Sequence, residues 1–177
     1  DKTIGVVTGV LGIRWYDCTV NGMEAHAGPT PMALRKDALQ VATKLMQEVV
    51  ACAHRHPPHG RGTVGMVTVH PNSRNVIPGR VKFSIDLRNA SDALVDAMDA
   101  DIRGVAARIS KESGLPIEIE QVSAYPAQPF HPDCIDAVAR ATEKLGYSNM
   151  RAVSGAGHDA VYMARLAPAG MIFIPCK

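Results

Sequence analysis

A chain of 177 residues that is 46% hydrophobic and 20% charged carries enough apolar material for one ordinary core or two small ones, which excludes a disordered segment. A net charge of +2 gives no broad basic field, and 5% aromatic residues leave few stacking platforms, so nucleic acid is not an expected partner. No apolar run approaches the roughly 20 residues that a bilayer helix needs, and no charged-then-apolar leader precedes "DKTIGVVTGV", so a cytoplasmic protein with no membrane partner is expected.

Cys18, Cys52, Cys134 and Cys176 lie scattered with no CxxC spacing, which predicts reduced structural thiols rather than a zinc ribbon or a disulfide framework. The missing initiator methionine and the abrupt end "MIFIPCK" suggest a piece of a longer chain.

In chain order, "TIGVVTGV" (3–10) is a continuous apolar run of the kind buried on both faces in a parallel sheet, and a second strand follows over 12–21. "GMEAHAGPTPM" (22–32) comes next. Pro29 and Pro31 lack amide donors and push the preceding residues toward extended geometry, so no helix runs through His26 and the loop is stiff and exposed. Thr30 as N-cap, Pro31 at the first helical position and the spacing of Leu34, Ala38, Val41, Leu45 and Val49 predict a helix from 31 to about 54, ended by "HRHPPHG".

"GTVGMVTVH" and "GRVKFSIDLRN" form an expected antiparallel pair joined by "PNSRNVIP". In the second, Val81, Phe83, Ile85 and Leu87 alternate with Lys82, Ser84, Asp86 and Arg88. A helix capped by Ser91 or Asn89 then buries Leu94 or Val95, Met98, Ile102, Val105 and Ile109, and Gly114 with Pro116 stops it. "PIEIEQVSA" is another strand. The order over 12–124 is therefore β-α-β-β-α-β, a four-stranded antiparallel sheet with both helices on one face. A helix over about 132–145 ended by Gly146, a glycine-bearing loop running into a helix in "MRAVSGAGHDAVYMARL", and the strand "MIFI" follow. They predict an α/β unit completed by 3–10. The fold class is thus α/β, with an α+β domain (12–124) inserted into a partial α/β domain (1–11 and 125–177).

Few residues carry a chemical signal. In "SGAGHDA", Gly155 and Gly157 allow close backbone approach to a ligand, and the amides opening the next helix favour an anion; a tight turn with His158 as an ordinary cap is the alternative. Arg88 and Asn75 can grip a carboxylate with a guanidinium fork and an amide, or be a surface ion pair to Asp86 or Asp92 and a turn-forming Asn. His54, His56 and His59 in "HRHPPH" read as a solvated loop, Asp96, Asp99 and Asp101 as an outer helix face, and His70 and His131 have no evident partner.

Together, "GIRWYDCTVNGMEAHAGPTPMALRKDA", "PNSRNVIPGRVKFSIDLRN" and "SGAGHDA" resemble the amidase/hydantoinase/carbamoylase branch of the M20 metallopeptidase family. The resemblance implies that 12–124 is a lid through which a homodimer forms, and that 1–11 and 125–177 are pieces of a catalytic domain. It implies hydrolysis of N-carbamoyl-L-amino acids or related ureido acids to the amino acid, CO2 and ammonia. A related M20 peptidase or aminoacylase, or a non-catalytic dimerisation module, is the alternative. Two divalent metal ions (Zn, Mn, Ni or Co) are implied for the parent enzyme, with ligands at no position of this chain. His26 corresponds to the lid histidine that stabilises the oxyanion in the neighbouring subunit, Asn75 and Arg88 to residues holding the substrate carboxylate, and Gly157 and His158 to the glycine-rich binding segment.

Overall fold

The structure, a computed structural model, describes residues 2–176. In chain order its elements are β1 Ile4–Val10, β2 Gly12–Asn21, β3 Ala25–His26, a 3-10 turn Met32–Leu34, α1 Ala38–Arg55, β4 Arg61–Thr63, β5 Val67–His70, β6 Val76–Ile77, β7 Arg80–Asn89, α2 Asp92–Ser113, β8 Ile117–Tyr125, β9 Gln128–Pro129, α3 Pro132–Lys144, β10 Asn149–Ser154, α4 Asp159–Met163 and β11 Met171–Phe173. They form two compact units. One holds Ile13–Arg88 and Ala93–Tyr125; the other holds the chain up to Gly12, Asn89–Asp92 and the chain from Pro126 onward.

The Ile13–Tyr125 unit is built on a sheet of order β4-β7-β2-β8, with β5 also paired to β7. Strict alternation in β7 sends Val81, Phe83, Ile85 and Leu87 into the core, as their period of two requires. They meet Cys18 and Val20 of β2, Ala42, Leu45 and Val49 of α1, and Met98, Ile102 and Ile109 of α2 in one cluster. The Cys52 thiol of α1 points at the Met98 carbonyl of α2 at 3.8 Å, so the two helices pack side by side on one face of the sheet. Burial alone pushes the Cys18 thiol up to about 12, so it stays protonated as a small apolar core group.

Two local expectations change here. Residues 31–37 are not part of α1: the proline-led start yields only the 3-10 turn, Arg35 is extended (φ −75°, ψ 132°), and α1 begins at Ala38. Asp37 is the true cap, its side chain accepting from the amides of Leu39 (2.9 Å) and Gln40 (3.2 Å). The "GTVGMVTVH" run is likewise two strands on β7. Thr63 faces Asp86 and Val67 faces Phe83, so residues 64–66 oppose only 84–85 and the ladder bulges there.

In the other unit β1 pairs parallel with β10 along one edge and antiparallel with β11 and β9 along the other. The terminal apolar strand is thus antiparallel to β1, and its parallel partner is the "NMRAVS" segment that the sequence reading placed in a loop. Val6, Val7 and Val10 bury against Phe130 and Ile135. His131 is not idle: its Nδ1 accepts the Asp133 amide at 3.2 Å and caps α3. Gly146, at φ +72°, ends that helix in the left-handed conformation that glycine adopts without strain. No helix among the described residues is long and apolar enough to cross a membrane.

Candidate functional site

His26 stands on a short ribbon outside the main sheet. β3 pairs antiparallel with β6, Ala25 opposite Ile77 and His26 opposite Val76. The ribbon leaves β2 through Gly22, whose amide donates to the Gly79 carbonyl at 2.7 Å. A Cβ at Gly22 would run into the Lys36 carbonyl oxygen, so only glycine permits this close approach. Beyond His26 the loop is clamped by Arg35, which donates from Nε to the Thr30 carbonyl (3.1 Å) and from Nη2 to the Ala27 carbonyl (2.7 Å). The prolines signalled a stiff loop, but Arg35, which fixes its shape, has no sequence signature.

The imidazole itself is exposed, and its Nδ1 accepts the Gly28 amide at 3.1 Å. An Nδ1 lone pair used in this way leaves the neutral ring its proton on Nε2, which becomes a donor to whatever approaches the loop. Asn75 belongs to the same ribbon: its carbonyl accepts the Ala27 amide at 2.9 Å, and its Oδ1 accepts from the Ser73 hydroxyl at 3.0 Å. Nearby, His70 has a partner after all: its Nε2 lies 3.2 Å from Glu24 Oε1.

Arg88 is not brought beside Asn75. The ribbon joins β7 at Arg80, and Arg88 lies eight residues further along, about 26 Å in extended chain. Its guanidinium donates to Asp86, Nε to Oδ1 at 2.9 Å and Nη2 to Oδ2 at 2.5 Å, and this hydrogen-bonded carboxylate raises the guanidinium further above its ordinary range. The ion pair to Asp86 weighed for this residue is therefore present, and it holds the fork in a fixed orientation.

The "SGAGHDA" segment follows β10. Ser154 is buried; its Oγ lies 2.7 Å from His158 Nε2 and accepts the Ala156 amide at 3.2 Å. His158 stands at the N-cap of the five-residue α4 but makes no side-chain cap hydrogen bond, so the ordinary-cap alternative fails because its ring is turned to Ser154. The Phe173 ring is 5.8 Å away. A Cβ at Gly155 or Gly157 would meet no atom within 4 Å, so the chain's own packing does not require glycine at either position.

Residues 11–177 match Peptidase family M20/M25/M40. The chain belongs to this family. Among M20 relatives it is 42% identical over 176 residues to an N-carbamoyl-L-amino-acid amidohydrolase of Rhizobium meliloti, covering 99% of this chain and 42% of that protein. It is 34% identical to an allantoate amidohydrolase of Bacillus subtilis (strain 168), covering 99% of this chain and 43% of the relative. The crystal structure of an amidase of the hydantoinase/carbamoylase family from Burkholderia multivorans superposes with a TM-score of 0.97 at 51% identity, over 99% of this chain and 43% of that one. The chain thus spans about two fifths of the length of the relatives it matches.

Among the described residues, the one set of three His, Cys, Asp or Glu side chains close enough to share an ion is Cys52, His56 and Asp101. This corrects the solvated-loop and outer-face readings for His56 and Asp101: the packing of α1 on α2 turns Asp101 toward Arg55 and His56. His54 stays exposed.

Proposed function

We propose that this chain contributes the lid, residues 12–124, and part of the catalytic domain, residues 1–11 and 125–177, of a cytoplasmic, homodimeric M20 amidohydrolase acting on N-carbamoyl-L-amino acids or related ureido acids. The relatives named for N-carbamoyl-L-amino acids and for allantoate support this substrate class. The carrying observation is the His26 ring, exposed, oriented by the Gly28 amide and left with an Nε2 donor.

Addition of water to a ureido carbonyl places negative charge on its oxygen, and a fixed neutral N–H donor stabilises that charge without reorganising. His26 supplies this donor, and Asn75, held on the same ribbon, acts with it. Arg88 holds the substrate carboxylate in a geometry set by Asp86, which positions the carbonyl for attack. Gly157 leaves room for substrate beside the backbone, and His158 presents a ring held by Ser154. Hydrolysis of the carbamoyl group consumes one water and yields the amino acid, CO2 and ammonia. The wide spacing of Asn75 and Arg88 along one chain suits a site in which His26 and Asn75 come from one subunit and Arg88 from its partner.

The test is made in the full-length enzyme with ureido and N-acyl amino acids side by side. His26→Ala should lower kcat by roughly 100- to 1,000-fold, the usual loss for an oxyanion donor, with metal content unchanged. Mixing inactive His26→Ala with inactive Arg88→Ala subunits should partly restore activity. A near-normal kcat removes His26 from the mechanism, failure of the mixture removes the shared site, and a preference for N-acyl substrates replaces the ureido assignment.

A further inference from the structure

The C-terminal end of α1 and the middle of α2 bring together three ligating side chains. Cys52 lies on the buried side of the last turn of α1, and His56 is the C-cap that follows Arg55. Asp101 comes from α2. The Cys52 Sγ, a His56 ring nitrogen and an Asp101 carboxylate oxygen all lie within 4.8 Å of one another, with His56 Nε2 3.8 Å from Asp101 Oδ2. That separation is too long for a hydrogen bond. It is close to the roughly 3.4 Å between two ligands each about 2.1 Å from a tetrahedral ion.

The surroundings match those of a supported ligand set. Arg55 donates to Asp101 Oδ2 through Nε (3.1 Å) and Nη2 (2.9 Å) and reaches Glu48 Oε2 at 3.2 Å. A carboxylate offers about four lone-pair positions; both Arg55 donors fall on Oδ2, so the arginine orients Asp101 and leaves Oδ1 open to an ion, as outer hydrogen bonds to metal-bound carboxylates do. The Arg55 ion pairs account for Arg55, Glu48 and Asp101. Beside them, the fully buried Cys52 thiol, which also reaches the Met98 carbonyl, and the partly buried His56 imidazole face the same carboxylate.

We propose that Cys52, His56 and Asp101 bind one divalent transition-metal ion of borderline softness, of the zinc and cobalt class, with water as the fourth ligand. Thiolate, imidazole and carboxylate form a ligand set suited to such ions. On binding, the Cys52 thiol releases its proton to solvent and its sulfur bonds the ion. The thiolate and carboxylate then balance the two positive charges. His56 and Asp101, both partly exposed, close the remaining distance by side-chain rotation, and the ion ties the end of α1 to α2.

The experiment titrates Co2+ into the intact, reduced protein, with Cys52→Ala and His56→Gln in parallel. Wild type should bind one more equivalent than Cys52→Ala, with a thiolate-to-cobalt charge-transfer band and the visible bands of a tetrahedral site. Zn2+ should abolish both signals and raise the wild-type Tm. His56→Gln, a change at a partly exposed side chain, should leave circular dichroism unaltered and weaken Co2+ binding at least tenfold. The proposal is overturned if no charge-transfer band develops, if the band survives in Cys52→Ala, or if His56→Gln binds like wild type. Should Cys52→Ala not fold, the band and the His56→Gln comparison decide alone.

Discussion

Ser154 and Gly157 sit three residues apart and answer different physical demands. The Ser154 hydroxyl is buried and serves both the His158 ring and the amide of exposed Ala156, so its removal takes a hydrogen-bond partner from each. Ser154→Ala should therefore cost about 1 kcal/mol in urea unfolding and change the His158 ring resonances in NMR spectra. Gly157 faces open space, so alanine there should leave stability within about 0.5 kcal/mol of wild type. If substrate backbone lies against this position, the added methyl should raise KM in the full-length enzyme. An unchanged KM would show that the glycine does not face substrate, while a large stability loss would show that it is structural.

At the start of α1 two residues compete for the cap, and geometry separates them. Asp37 accepts two helix amides, whereas Thr30 gives its carbonyl to Arg35 and its amide to the His26 carbonyl. Asp37→Ala should destabilise the protein by about 1 kcal/mol in denaturant unfolding, and Thr30→Ala by far less; equal losses would return the cap to Thr30. The contrast shows why this boundary was misread. A Thr-Pro pair ahead of spaced apolar residues is a strong local signal, but tertiary pairing of Lys36 with Met23 holds the chain extended until Asp37. Elements whose period is set by burial, such as β7 and α2, were legible because the core sorts their side chains directly. The bulge at 64–66 and the β10 pairing depend on partners remote in sequence, and no local pattern announces them. The same holds for the site. His26 was visible through its prolines, while Arg35, and the meeting of His56 with Asp101, arise only when distant segments pack.

Across the whole molecule the two units differ in what they bury. The Ile13–Tyr125 unit gathers Tyr16, Leu45, Phe83, Ile85, Leu87 and Met98 at 2% exposure or less, with two long helices across one sheet face. Among the described residues the other buries the smaller cluster of Val6, Val7, Val10, Phe130 and Ile135, and leaves Leu166 83% and Ile174 66% exposed. At about 25 cal/mol for each Å² of apolar surface removed from water, the second unit receives much the smaller driving force. Opening of β1 and β10 should then require less free energy than opening of β2 and β7. Native-state hydrogen exchange with added denaturant measures this directly: the β1 and β10 amides should exchange at the lower free energy. Leu45→Ala, which removes a fully buried side chain, should cost about 2–5 kcal/mol. That loss should fall on the β2 and β7 amides and leave β1 and β10 unchanged. A single free energy shared by all four strands, lowered everywhere by Leu45→Ala, would mean that the units unfold as one and that burial within each does not set its local stability.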